Sequence, residues 1–220
     1  ITAIAGEDFV SGGANNNGTA TGILTMGDGS SIETEDGNIV VRATGSVDLS
    51  LLNADIDGDG NASGTGDVTV EADFAGIDGG LSTADTGDIQ DILSGEGANI
   101  IGDTINLIGP DGIGSGEDIN VTVITELNTD SSGNNGNIEL ESTGSMPIGV
   151  INAGSGNVTL ISTGTMTDTN AGTLNITGNL LDMTANGGAI GTSGDKIDTN
   201  VTQIVADTTA VDGSGVFINE

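Results

Sequence analysis

Gly136-Asn137-Ile138-Glu139-Leu140-Glu141-Ser142-Thr143-Gly144 and Gly156-Asn157-Val158-Thr159-Leu160-Ile161-Ser162-Thr163-Gly164 are two copies of one phrase, starting 20 residues apart. Gly37-Asn38-Ile39-Val40-Val41-Arg42-Ala43-Thr44-Gly45 repeats it, and looser copies open at Gly66 and Gly172. Inside each phrase apolar and polar residues alternate, which is the period of a strand buried on one face. The same alternation marks Val68–Glu71, Ile119–Val123, Leu174–Thr177 and Val216–Asn219 as strands. Asp-Gly and Asn-Gly pairs lie between these runs and turn the chain, because both tolerate positive φ. Gln90-Asp91-Ile92-Leu93 is the nearest approach to a helical pattern, and it is too short to form one.

A unit of about twenty residues with short strands has the size of one coil of a β-solenoid. A single coil cannot bury its apolar face, but stacked coils bury it jointly at a spacing of about 4.8 Å. Roughly ten such coils would make a rod about 50 Å long. An antiparallel sandwich also uses short strands and frequent turns, yet near-identical 20-residue copies favour the solenoid. The expected fold is therefore all-β, a parallel β-solenoid with protruding acidic loops, forming one domain over residues 1–220.

Composition narrows the function. The 220 residues hold 33 Asp and Glu against 2 Lys and Arg, a net charge of -31, with no His, Cys, Trp or Tyr. So few cations give phosphates nothing to bind, which argues against DNA, RNA and anionic lipid as partners. Without His or Cys there is no Ser-His-Asp triad, no Cys-His pair and no ordinary zinc site. Two carboxylates suffice for glycoside hydrolysis, but sugar sites stack on Trp or Tyr, and both are missing. No enzyme activity is expected. No long apolar run suggests membrane insertion. The opening Ile1-Thr2-Ala3-Ile4-Ala5-Gly6 has no signal-peptide character, so the expectation is a mature product or a piece of a longer chain. A lack of cysteine fits export.

Several phrases carry a resemblance. Gly136–Ser145, Ile151-Asn152-Ala153-Gly154-Ser155-Gly156-Asn157-Val158-Thr159-Leu160, Gly187-Gly188-Ala189-Ile190-Gly191-Thr192-Ser193, Ile197–Val201 and Gly215–Glu220 resemble the shaft of filamentous-haemagglutinin-type exoproteins. The resemblance implies a right-handed parallel β-helix displayed outside the cell, serving adhesion or biofilm cohesion. It covers the second two thirds of the chain well and the first sixty residues loosely.

One local motif points to a metal. In Asp55-Ile56-Asp57-Gly58-Asp59-Gly60-Asn61, carboxylates at alternating positions followed by Gly are how calcium loops gather oxygen ligands. Asp55, Asp57, Asp59 and Asp67 are the candidate ligands for Ca2+. The twelve-residue helical calcium loop is not matched, since Gly66 stands at its last position. The alternative is an acidic, solvated turn. High net charge adds a second argument, because divalent cations relieve repulsion between close carboxylates. Asp88 and Asp91 read as ordinary exposed turns.

Strand-like sequence runs to both ends, so the expected partner is the protein itself, through head-to-tail copies or adjoining repeats. The expected function is an extracellular structural shaft or filament for cell-surface adhesion or biofilm matrix. The rival is a calcium-dependent module that binds a cell-surface or matrix ligand.

Overall fold

The computed structural model describes residues 1–5, 22–58, 66–74, 87–95, 97–209 and 215–220. Among these residues there are 18 strands and no helix, wound into a β-solenoid of about 7 turns. Every pairing is parallel. That excludes the antiparallel sandwich.

The register turns the sequence alternation into columns. Ala3, Val41, Val70, Leu107, Thr129, Ile151, Ile176 and Thr199 stand one above the next. A second column runs from Leu24 through Val47, Ile89, Ile113, Ile138, Val158 and Leu181 to Ile204. Side chains inside these columns are fully buried from Val47 to Leu181. β-Branched and Leu side chains of similar width fill a stack at a fixed spacing of about 4.8 Å.

The two close phrase copies are neighbours in the stack: Ile138 lies on Val158, Leu140 on Leu160 and Ser142 on Ser162. The coil count is lower than the twenty-residue unit suggests. Steps along the first column are long at the start (Ala3 to Val41, Val41 to Val70, Val70 to Leu107) and fall to 22–25 residues afterwards. Insertions lengthen the early coils without adding turns, so the rod is about 34 Å long, not 50 Å. Gln90 and Asp91 belong to the Asp88–Asp91 strand.

Glycine opens the repeated phrase for a steric reason. A Cβ on Gly156 would land on the Gly136 carbonyl oxygen, and one on Gly66 on the Gly37 carbonyl oxygen. Backbone therefore touches backbone at this corner of the coil.

One core position is imperfect. Thr129 sits in the first column between Leu107 and Ile151, 3% exposed, and its hydroxyl has no hydrogen-bond partner. Valine has the same shape without the stranded hydroxyl. Thr129→Val should stabilise the fold by about 1 kcal/mol, read as a higher urea midpoint. A lower midpoint would show that the hydroxyl is satisfied.

Candidate functional site

The four candidate calcium ligands occupy different surroundings. Asp55 is buried, 8% exposed, just after the Leu51–Asn53 strand. Its N–H donates to Asn53 Oδ1 at 2.9 Å, and its carbonyl accepts from Gly58 N–H at 3.1 Å. Asp57 is exposed on the turn between them, and Gly58 takes φ 67. Asp59 lies outside the described residues. Asp67 precedes the Val68–Glu71 strand, and its carboxylate accepts from Thr104 N–H at 3.3 Å and Asn38 Nδ2 at 3.5 Å. It therefore joins three coils through its own side chain. Among the described residues no three carboxylates are grouped to hold a metal ion.

Acidic residues are spread by the register itself. Across every register pair of the described strands, no Asp or Glu stands directly beside another. Glu139 lies on Thr159, which lies on Asp182. Asp130 lies between Ile108 and Asn152. A neutral rung doubles the separation of such carboxylates to about 9.6 Å, and water screens the remainder. Along the described strands, then, carboxylates do not crowd one another into the repulsion that a divalent cation would relieve. Where opposite charges meet, they do so in register: Arg42 stands beside Glu71, Nε to Oε2 at 2.9 Å, with its guanidinium 4.6 Å from the Phe74 ring centre. The pair ties two neighbouring coils.

Side-chain amides add joints between coils to the backbone ladder. Asn137 Oδ1 accepts from Asn157 N–H at 3.0 Å, and Asn157 Oδ1 accepts from Asn179 Nδ2 at 3.1 Å. This is an asparagine ladder. Two further amides are fully buried. Asn99 Nδ2 donates to Asp91 Oδ1 at 2.6 Å and Ser50 carbonyl at 3.2 Å, while its Oδ1 accepts from Asn120 N–H at 2.8 Å. Asn175 repeats the arrangement with Asp168 Oδ1 at 2.8 Å, Gly149 carbonyl at 3.1 Å and Asp198 N–H at 2.8 Å. Each is a rivet through three successive coils. Asp91 is thus a half-buried partner of Asn99, not an exposed turn residue. The recurring signal in sequence is an Asp followed seven or eight residues later by Asn.

Acidic loops also reach over coils. Asp28 Oδ1 accepts from Ser94 N–H at 3.0 Å, a link spanning 66 residues. The Ser94 backbone and hydroxyl, with a smaller contribution from Gly29 N–H, hold the exposed Asp28 carboxyl below its ordinary value of 3.8 against slight desolvation. A depressed folded value means the link is present above the ordinary carboxyl range and is lost as pH falls through the folded value. The Ser94 amide resonance should therefore follow a titration with its midpoint below 3.8. A midpoint at or above that value would dissolve the link.

A shallow groove of about 290 Å³ crosses three coils beside Ser155, Thr177, Asn179, Asn200 and Thr202. Hydroxyls, amides, glycines and one valine line it, with no charge or aromatic ring. No helix among the described residues is long and apolar enough to cross a membrane. Compared with known proteins, the chain matches no family model, no curated protein and no solved structure.

Proposed function

We propose that the chain is a structural shaft, part of an extracellular surface protein of the filamentous-haemagglutinin type that serves adhesion or biofilm cohesion. The observation that carries this reading is the unbroken pair of core columns from Ala3 to Thr199 and from Leu24 to Ile204. Such stacking makes a stiff rod whose length is set by coil number. Amide rivets and the Arg42–Glu71 pair add joints between coils, the kind of reinforcement a spacer under tension needs. The resembling phrases at 136–145, 151–160 and 187–193 favour that family in this reading and, with it, the cell surface as the location.

On this reading the rod carries no active site of its own, and its partners are copies or adjoining repeats of the same fold and a cell-surface or matrix ligand. Antibodies raised to the purified rod should label intact cells of the producing organism. Labelling only after permeabilisation would overturn the surface role, and turnover of a polysaccharide by the purified rod would overturn the structural one.

Calcium has a subordinate place. On this reading the neutral rungs between carboxylates along the described strands leave the stack little repulsion for a divalent ion to relieve. Chelation should leave the urea midpoint of the purified rod unchanged. A fall in that midpoint, restored by millimolar calcium, would return Asp55, Asp57 and Asp59 to the centre of the account.

A further inference from the structure

We propose that Asn186-Gly187 is a site of spontaneous covalent modification, where the Gly187 nitrogen attacks the Asn186 side-chain amide, expels ammonia and leaves an isoaspartate in the backbone. This chemistry depends on neither the shaft reading nor a partner.

Asn-Gly is the pair that allows such an attack, because no Cβ on the second residue obstructs the approach of its nitrogen. The chain has Asn-Gly at Asn17, Asn135 and Asn186. Asn17 lies outside the described residues. The other two differ in how their reacting groups are held.

At Asn135 both groups are tied down. Gly136 is buried, and its N–H donates to the Ser131 carbonyl at 3.0 Å. Asn135 Oδ1 accepts from Ser155 N–H at 2.9 Å, and a φ of 60 holds the residue in the left-handed region. Attack there must break both bonds.

At Asn186 the nitrogen is not held. Asn186 follows the Ile176–Ala185 strand, with its own N–H on the Ser162 carbonyl at 2.7 Å. Asn186 and Gly187 are both exposed, and among the described residues Gly187 N–H has no hydrogen-bond partner. The Thr209 hydroxyl lies 3.2 Å from Asn186 Oδ1 and 3.1 Å from the Asn186 carbonyl oxygen. Negative charge gathers on Oδ1 as the nitrogen adds to Cγ, and a hydroxyl placed there stabilises it.

The Gly187 nitrogen gives its proton to hydroxide and forms a bond to Cγ. The Cγ–Nδ2 bond breaks, Nδ2 takes up a proton from water, and ammonia leaves. Water then opens the cyclic imide at either carbonyl, returning aspartate or isoaspartate. Isoaspartate carries the main chain through its Cβ, which lengthens the backbone at this point. The corner has no slack for that. A Cβ on Gly187 would already meet the Thr163 carbonyl oxygen, and one on Gly188 the Thr165 side chain. Just beyond, the Ala189 carbonyl accepts from Met166 N–H at 2.9 Å, and Gly191 N–H donates to the Met166 carbonyl at 2.8 Å. Modification therefore loosens a joint between two neighbouring coils.

The test is incubation of the full chain at mildly alkaline pH, with peptide mass spectrometry at each asparagine and enzymatic methylation to mark isoaspartate. In the folded protein Asn186 should convert roughly tenfold or more faster than Asn135, whose two hydrogen bonds must first break. In concentrated urea the two rates should converge. Thr209→Val should slow conversion of Asn186 several-fold in the folded protein and leave the rate in urea unchanged. Hydrogen exchange at the Gly191 amide should quicken as isoaspartate accumulates. Equal rates at the two sites in the folded protein, or Asn135 ahead, would sink the assignment. An unchanged folded-state rate in Thr209→Val would overturn the part given to the hydroxyl.

Discussion

Gly156→Ala should destabilise the rod by about 3 kcal/mol. The new Cβ would meet the Gly136 carbonyl oxygen, with Asn135 oxygen at 2.7 Å and Gly136 carbon at 2.8 Å behind it. Retreat is blocked, because Ile138 N–H holds Asn157 carbonyl at 2.9 Å and Asn157 N–H holds Asn137 Oδ1 at 3.0 Å. Backbone hydrogen bonds on both sides of the clash must stretch together. Gly144 is the control, since a Cβ there meets nothing within 4 Å. Gly144→Ala should change stability by no more than about 0.5 kcal/mol. Urea unfolding of the two variants compares them directly, and equal midpoints would refute the steric role of the phrase-opening glycine.

Asn175→Asp should cost about 4 kcal/mol at neutral pH, although it alters a single group without changing the side chain's shape. Asn175 is fully buried, and its Nδ2 donates to Asp168 Oδ1, Gly149 carbonyl and Ile148 carbonyl. An aspartate would point an oxygen at all three, setting two carboxylates together with Asp168 only 9% exposed. Asp168 would keep Asn170 N–H at 2.7 Å, too little to offset the repulsion. Acidification should recover part of the loss, since protonating one carboxyl restores a donor. A variant as stable as wild type at neutral pH would remove Asn175 from its place as a rivet.

These two positions also mark how far the sequence can be read. Ile39–Ala43, Val68–Glu71, Asn137–Ser142 and Val158–Ser162 are strands where alternation announces them. Met146–Asn152 is hidden because Pro147 and Gly149 break the alternation, yet Pro147 pairs with Thr167. Met146 N–H goes to Thr165 carbonyl in the following coil, so Pro147 nitrogen faces the preceding coil, where pairing begins only at Ile148 and no ladder bond is lost. Ile119–Asp130 is longer than its pattern because it crosses a corner, with a register shift between Val123 and Glu126 against the Ile100–Ile108 strand. Asn175 reads as the solvent face of a strand over Leu174–Thr177, yet it is fully buried and Leu174 is exposed, since polarity alone does not reveal that three coils will converge on one amide. Asp67 reads as a metal ligand for a related reason. A carboxylate that satisfies backbone N–H groups and one that awaits a cation look alike in a sequence.

The neutral rung between Glu139 and Asp182 also limits how such a rod can change length. Excising the one coil that contributes Thr159 would bring Glu139 against Asp182, two carboxylates about 4.8 Å apart on one strand face. Excising the coil that contributes Glu139, or duplicating the one that contributes Thr159, would leave every carboxylate of this column beside a neutral rung. Length in such a rod is limited coil by coil: the hydrophobic interior accepts the loss of any turn, while the charged exterior rejects the loss of a single neutral rung held between two acids.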